Sequence, residues 1–278
     1  MAVNYAEKYS NVVDERFTQQ SITSQAVNSN YDWDGTSTVK VYSVGTSELN
    51  DYKKTGTNRY GEPDELGNGV QEMLLTQDKA FTFTIDRASY TDTQMVMEAG
   101  KALKREIDEV IVPFVDAYRL SVIVENAGAT VTGAITKENA YEAFLDGVIA
   151  LNAAKVPKQG RIAYVSPVFY KAIRLDENFI KPSEIAQNML ITGSLGMIEG
   201  VQLIDGVGLL PEGTNFVITH SIATTAVSKL QDYNLHENPP GINGWLVEGR
   251  VRFDAFVLNN KKGAIYAHKT TAAKTTSK

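Results

Sequence analysis

The sequence predicts an α+β protein, on three observations. Apolar residues recur at every second position near both ends of the chain, as strands with one buried face require. A three-four spacing of apolar residues runs through Thr91–Val124, as in a long helix. Between that helix and the closing strands, short apolar runs alternate with amphipathic helical ones.

Composition narrows the function classes. The chain has 278 residues, 43% hydrophobic and 22% charged, enough for one large domain or two modest ones. It has no cysteine, which excludes thiolate catalysis, disulfides and thiolate metal sites. The formal charge is −6, whereas a domain that grips nucleic acid is usually basic. No window approaches the ~20 apolar residues of a membrane span. The start, "MAVNYAEKYSNVVDERF", carries acids and no apolar core, unlike a secretory leader.

The elements follow in order. Residues 1–34 are a polar arm with one short amphipathic stretch, Tyr5–Phe17, and too little apolar surface for a core. Residues 35–86 read as a long hairpin. "TSTVKVYSV" and "KAFTFTID" are its strands, and the polar run "GTSELNDYKKTGTNRYGEPDELGNG" between them is a flexible tip. A two-stranded ribbon is marginal by itself in water and needs a surface to lie on. The helix from Thr91, capped by Thr91 or Asp92, should be kinked or divided by Pro113. Its apolar stripe is Met95, Ala99, Leu103, Ile107, Val110, Ile111, Phe114, Tyr118 and Val122. Residues 127–238 are a mixed region. Thr136 should cap a helix there, "RIAYVS" is a buried strand, and Ser166 should cap a second helix with Pro167 at its first position. "VQLIDG" and "NFVITH" are further strands, and "ENPPG" closes the region. Residues 239–270 supply a last strand in "GWLVEGRVRFDAFV", a turn "NNKKG" and a returning partner "AIYAH"; a basic tail, 271–278, follows. Glu248, Arg250, Arg252 and Asp254 share one face of that strand, either solvated or turned to another copy of the molecule.

No catalytic motif is present: no GxxxxGK[ST], GxGxxG, HExxH or GxSxG. "GSLG" lacks the lysine of a phosphate loop, and "YDWDG" lacks the last acidic ligand of a calcium loop. His220 ends a buried strand and reads as structural. These residues point to neither an enzyme nor a cofactor.

The order of arm, long hairpin, long helix, α+β insert and closing strands resembles the major capsid protein of tailed bacteriophages, the Hong Kong 97 fold. "GWLVEGRVRFDAFVLNNKKGAIYAH" looks like that family's closing strands, and "SPVFYKAIRL" and "GVQLIDGVGLLPEG" are similar to its apical segments. The resemblance implies an extended loop over 35–86 and a peripheral domain with a spine helix over 87–126 and 239–270. It also implies an apical domain over 127–238. It implies self-assembly through pentamers and hexamers into an icosahedral virion shell around double-stranded DNA, without tight specific DNA binding, in the bacterial host cytoplasm. A portal is implied, and the short arm implies a separate scaffolding protein or none. The residues it puts at contacts between subunits are Lys53, Lys54, Arg59, Glu62, Asp64, Glu65, Phe81, Phe83, Glu248, Arg250, Arg252 and Asp254. The alternatives are an encapsulin, a bacterial nanocompartment shell of the same fold, and less so an enzyme with an unrecognised site or a tail-tube subunit.

Overall fold

The computed structural model describes residues 21–29, 38–44, 49–62, 68–87, 99–177, 196–206 and 208–271. The Tyr5–Phe17 stretch, "YDWDG", the helix start at Thr91 and the last seven residues of the tail lie outside them. The chain divides into two compact units, Tyr31–Leu75 and a body made of Met1–Asn30 with Thr76–Lys278.

The smaller unit is an antiparallel ribbon of β1 (Thr38–Val44) and β2 (Asn68–Leu74). Here the structure corrects the sequence reading. The partner of the first strand is Asn68–Leu74 and not "KAFTFTID", which belongs to the body as β3 (Gln77–Asp86). The strand β2 reads weakly because Gly69, Gln71 and Glu72 interrupt its apolar residues.

The body holds two sheets. In the first, β10 (Gly244–Val257) lies between β3 and β9 (Thr224–Glu237), all antiparallel. In the second the order is β4 (Ala129–Thr132), β11 (Tyr266–Lys269), β8 (Thr214–His220), β5 (Arg161–Val165), β7 (Val201–Asp205) and β6 (Met197–Ile198). Two strands thus exchange places relative to expectation. "AIYAH" does not return along β10, because "NNKKGA" winds into a 3-10 turn and delivers β11 to the six-stranded sheet. Thr224–Glu237, within the predicted central region, instead forms a long hairpin with β10 around residues 238–243.

Helix α1 (Ala99–Glu106) runs through a π turn (Ile107–Ile111) into α2 (Val112–Glu125). Pro113 lacks the N–H that an α-helical register would use, and the N–H of Val112 reaches back to the Ile107 carbonyl, one residue further than in an α-helix. The extra residue turns the side chains that follow by about 100°. The predicted stripe is therefore right for Leu103 and Ile107 but slips by one position afterwards. Val112, Val115, Leu120, Ile123 and Val124 are buried, while Val110 and Phe114 are about half exposed. The early part packs Leu103, Ile107 and Val112 against Phe81, Phe83 and Val247 of the three-stranded sheet. The later part packs Leu120, Ile123 and Val124 against Ile162, Tyr164, Val217 and Ala267 of the six-stranded one. One helix thus serves both sheets.

The other face of the six-stranded sheet is covered by α3 (Ala140–Ala153) and α4 (Pro167–Arg174). Phe144, Phe169, Phe216 and Ile218 meet there, with rings 4.6 Å apart for Phe169 and Phe216. With both faces covered, β5 is buried at every position, as its unbroken apolar run requires. Ser166 caps α4 as expected, its hydroxyl accepting from the Phe169 N–H at 3.2 Å. Thr136 does not cap α3. The helix starts after Asn139, and the buried Asp176 carboxylate instead accepts from the Tyr141 N–H at 2.9 Å. His220 is buried, with Nδ1 accepting from the Ile222 N–H at 3.2 Å and Nε2 against the Gln159 carbonyl at 2.9 Å. That geometry ties it into its own chain on both ring nitrogens.

Of the polar arm, residues 21–23 are held against the body. The buried carboxylate of Asp116 on α2 accepts from the Ser21 hydroxyl at 2.6 Å, the Ile22 N–H at 2.9 Å and the Thr23 hydroxyl. The buried Arg119 guanidinium donates to Thr23 at 3.2 Å and lies 4.0 Å from Asp116. The Tyr164 hydroxyl donates to the Ile22 carbonyl at 2.8 Å, and burial holds its pKa far above the ordinary phenol value.

Two measurements test this packing. A Cβ on Gly249 would collide with the Phe81 ring laid over it from the neighbouring strand. Gly249→Ala is therefore expected to lower unfolding free energy by about 1–3 kcal/mol in denaturant titration, and an unchanged midpoint would contradict the Phe81 placement. Asp116→Ala removes the buried carboxylate that accepts from Ser21, Ile22 and Thr23 and lies beside Arg119, and is expected to cost about 3–5 kcal/mol. Hydrogen exchange at the Ile22 amide should accelerate with it.

Candidate functional site

The features that exceed the needs of a folded body are the ribbon, its tip and the edges of the three-stranded sheet. In the ribbon, Thr38, Lys40 and Tyr42 face Leu74, Glu72 and Val70 respectively across the two strands. Strand alternation puts all six on one face. Lys40 and Glu72 form an ion pair at 2.7 Å, and the Glu72 carboxylate raises the Lys40 pKa. On either side of that pair Tyr42, Val70 and Leu74 are 64%, 55% and 51% exposed. The opposite face carries Val39, Val41 and Met73, of which Met73 is buried. An exposed row of large apolar groups on a two-stranded ribbon is an unused contact surface. Sequence reasoning missed Tyr42, Val70 and Leu74, because their exposure depends on a strand register that local pattern does not reveal.

The tip, residues 49–62, is exposed almost throughout. It is shaped by turns: the Lys53 N–H donates to the Arg59 carbonyl at 3.0 Å and the Gly61 N–H to the Asn58 carbonyl at 3.1 Å. Gly56 and Asn58 sit at φ 92° and 57°, values that glycine and asparagine tolerate best. The Asn58 amide donates to Glu62 at 2.7 Å, and Tyr52 and Tyr60 meet edge to face at 5.1 Å. Lys53, Lys54, Arg59 and Glu62 are exposed here, while Asp64 and Glu65 lie outside the described residues.

The remaining residues singled out from sequence lie in the body. Phe81 and Phe83 are half-buried with rings 6.5 Å apart, packed on the helix in their own chain. Glu248 is exposed and meets His236 of β9 at 3.3 Å. Arg250 grips Asp78 of β3 with two hydrogen bonds, and these hold the Asp78 carboxyl below its usual pKa. Arg252 approaches the same carboxylate at 3.8 Å. Asp254 corrects the picture of a single four-charge face, because it is only 3% exposed. One of its oxygens accepts from the N–H and the hydroxyl of Thr76, each at 2.8 Å. The other accepts from the Tyr118 hydroxyl at 2.7 Å. Strand alternation places Asp254 with its neighbours, but the chain entering β3 covers it, which only the tertiary structure determines.

Among the described residues there is no group of three or more His, Asp or Glu side chains gathered to hold a metal. None of the described helices is long and apolar enough to cross a membrane.

No family model matches this sequence, and no curated protein matches it. Solved structures do. Most of the chain superposes on capsid proteins of tailed phages, so the fold is that of a phage major capsid protein. A chain from Mycobacterium phage Che8 matches with a TM-score of 0.73 at 17% identity, covering 90% of this chain and 91% of that one. A chain from the mature capsid of bacteriophage PhiM1 matches with a TM-score of 0.68 at 11% identity, over 91% and 88%. A virus-like particle from Pyrococcus furiosus matches with a TM-score of 0.58 at 15% identity, over 96% and 100%.

Proposed function

We propose that this chain is the major subunit of a virion shell, assembling with copies of itself through pentamers and hexamers around double-stranded DNA. The observation that carries the reading is the ribbon. It is a compact unit of its own, its two strands pair with each other and, among the described residues, with no other strand, and Tyr42, Val70 and Leu74 are exposed. A closed shell needs one chain to make several different contacts, and interfaces between unlike patches close into rings. An arm that lies on a sibling supplies area a compact domain cannot reach, toward the ~1,200–2,000 Å² of a stable interface.

In this reading the extended loop, expected over residues 35–86, is the smaller unit that ends at Leu75. The three-stranded sheet with α1 and α2 is the peripheral domain, and the six-stranded sheet is the apical domain at the centre of each ring. Lys53, Lys54, Arg59, Glu62 and Glu248 remain exposed charges for rim contacts, whereas Asp254 is engaged in its own chain. The net charge of −6 suits a wall that does not hold its DNA tightly. A separate scaffolding protein and a portal are the partners such a shell requires. The likeness to the virus-like particle from Pyrococcus furiosus supports a second reading, a shell of the same build around a protein cargo.

Electron microscopy of the purified chain, with scaffold co-expressed, tests the proposal. Closed particles are expected. Tyr42→Asp with Val70→Asp should leave a folded subunit, with unchanged circular dichroism, that forms none. Monomers persisting in the unsubstituted chain would overturn the shell reading. Nuclease-resistant DNA in particles made in phage-infected cells would separate a virion from a cargo shell.

A further inference from the structure

Two loops of the body meet at one surface, and both are basic. The first, residues 154–160, joins α3 to β5, and the second is the 3-10 turn Asn259–Ala264 between β10 and β11. Gly263 lies against Ala154, so that a methyl group on it would sit 3.6 Å from the Ala154 methyl. Val156 packs into the same apolar cluster as Ala264 and Ile265. Residues 152–161 and 259–264 contain Lys155, Lys158, Arg161, Lys261 and Lys262 and no acid, in a chain with 27 basic and 33 acidic residues. The fold thus gathers positive charge at one place on an acidic protein.

The loops are held in shape from beneath. The Arg161 guanidinium, only 2% exposed, donates to the Pro157 carbonyl and the Asn152 side-chain oxygen at 2.9 Å, and to the Val156 carbonyl at 2.6 Å. His220 lies against the Gln159 carbonyl at 2.9 Å, and the Lys155 N–H donates to the Asn152 carbonyl at 2.9 Å. In the second loop the Lys261 N–H donates to the Leu258 carbonyl at 2.8 Å, and the Lys262 carbonyl accepts from the Gly128 and Ile265 N–H groups at 3.0 Å. The acceptors around Arg161 are neutral, and none of the four lysines enters an ion pair among the described residues. The buried guanidinium therefore adds to the field of the lysines above it. Lys155 and Lys158 are exposed, and Lys261 and Lys262 are half-exposed. The acid that comes nearest this surface along the chain is Glu125, three residues before Gly128, and it is exposed.

We propose that this surface docks the phosphate backbone of double-stranded nucleic acid, loosely and without regard to sequence, through Lys155, Lys158, Lys261 and Lys262. Protein interfaces have an apolar core, and this surface has none to offer. Leu258, Ala264 and Ile265 are buried, Val156 packs inward, and no large apolar side chain of either loop is exposed. A duplex asks for the opposite, fixed positive charges set against a dense row of phosphates. Gln159, Asn259 and Asn260, exposed among the lysines, add polar groups for phosphate and sugar oxygens. Four lysine contacts place the affinity at the weak end of DNA binding, in keeping with an acidic wall that does not hold its DNA tightly. The docking stands on the two loops, while its use inside a shell rests on the reading of the chain as a virion subunit.

Fluorescence anisotropy of a labelled duplex of about 20 base pairs, titrated with dispersed full-length subunits, tests the proposal. Affinity is expected to fall about a hundredfold from about 50 to about 200 mM salt, since about 0.9 counterion is released per lysine contact. Lys155→Gln with Lys158→Gln should reduce the logarithmic salt slope by about 2, with circular dichroism unchanged. Lys261→Gln with Lys262→Gln should reduce it by about as much, and the first pair decides alone if the second disturbs its turn. Lys53→Gln with Lys54→Gln, in the exposed ribbon tip, should leave the slope as it was, and two duplexes of unrelated sequence should bind alike. Absence of binding at about 50 mM salt overturns the proposal, and so does a slope reduced as much by the tip pair as by Lys155 and Lys158. Poly-glutamate that displaces the duplex at a lower charge concentration than unlabelled DNA also overturns it, in favour of an acidic protein partner. No particle has to form, so failure of docking and failure of the shell reading are told apart.

Discussion

The body depends on one extra residue in a helix. Without the π turn before Pro113, the apolar stripe of α1 would continue straight, and Val110 and Phe114 would be buried in place of Val112 and Val115. The half of the helix that meets the six-stranded sheet would then present the wrong face. The inserted residue rotates that half so that Leu120, Ile123 and Val124 reach Tyr164 and Val217 while Leu103 and Ile107 stay on Phe81 and Phe83. Two sheets that share no strand are thereby fastened to one rod. Proline supplies the reason for the turn, since it removes the hydrogen bond that would favour an α-helical register.

Three buried carboxylates complete what the apolar core begins. Asp116 holds residues 21–23, Asp176 caps α3, and Asp254 holds Thr76 ahead of β3. Each accepts from backbone N–H groups, and Asp116 also accepts from the buried Ser21 and Thr23 hydroxyls, which would otherwise lack acceptors. Leaving such donors unmade costs more than the net gain of an ordinary hydrogen bond. These acids therefore act as selective fasteners: they fix segments too polar to be held by burial. The charges that remain at the surface, Arg250 with Asp78 and Glu248 with His236, join neighbouring strands and contribute far less.

The ribbon leaves Tyr42, Val70 and Leu74 in solvent, and among the described residues its two strands pair with each other. For a single molecule this is wasteful. The fold itself is shared with phage capsid structures over about nine-tenths of the chain.

Local pattern was enough for much of this. The sequence alone determined the α+β class, an irregularity of the helix near Pro113, the buried β5, and the Ser166–Pro167 start of α4. Each is written in the period of side chains or in a residue whose backbone preference is strong. Only the tertiary structure decided which strands pair. β1 took Asn68–Leu74, β3 and β9 took β10, and β11 left its apparent hairpin for the other sheet. It also decided that Asp254 is covered, that Phe81 lies over Gly249, and that the helix face slips by one residue. Those outcomes rest on contacts between residues far apart in the chain, and such contacts leave no trace in the spacing of neighbours.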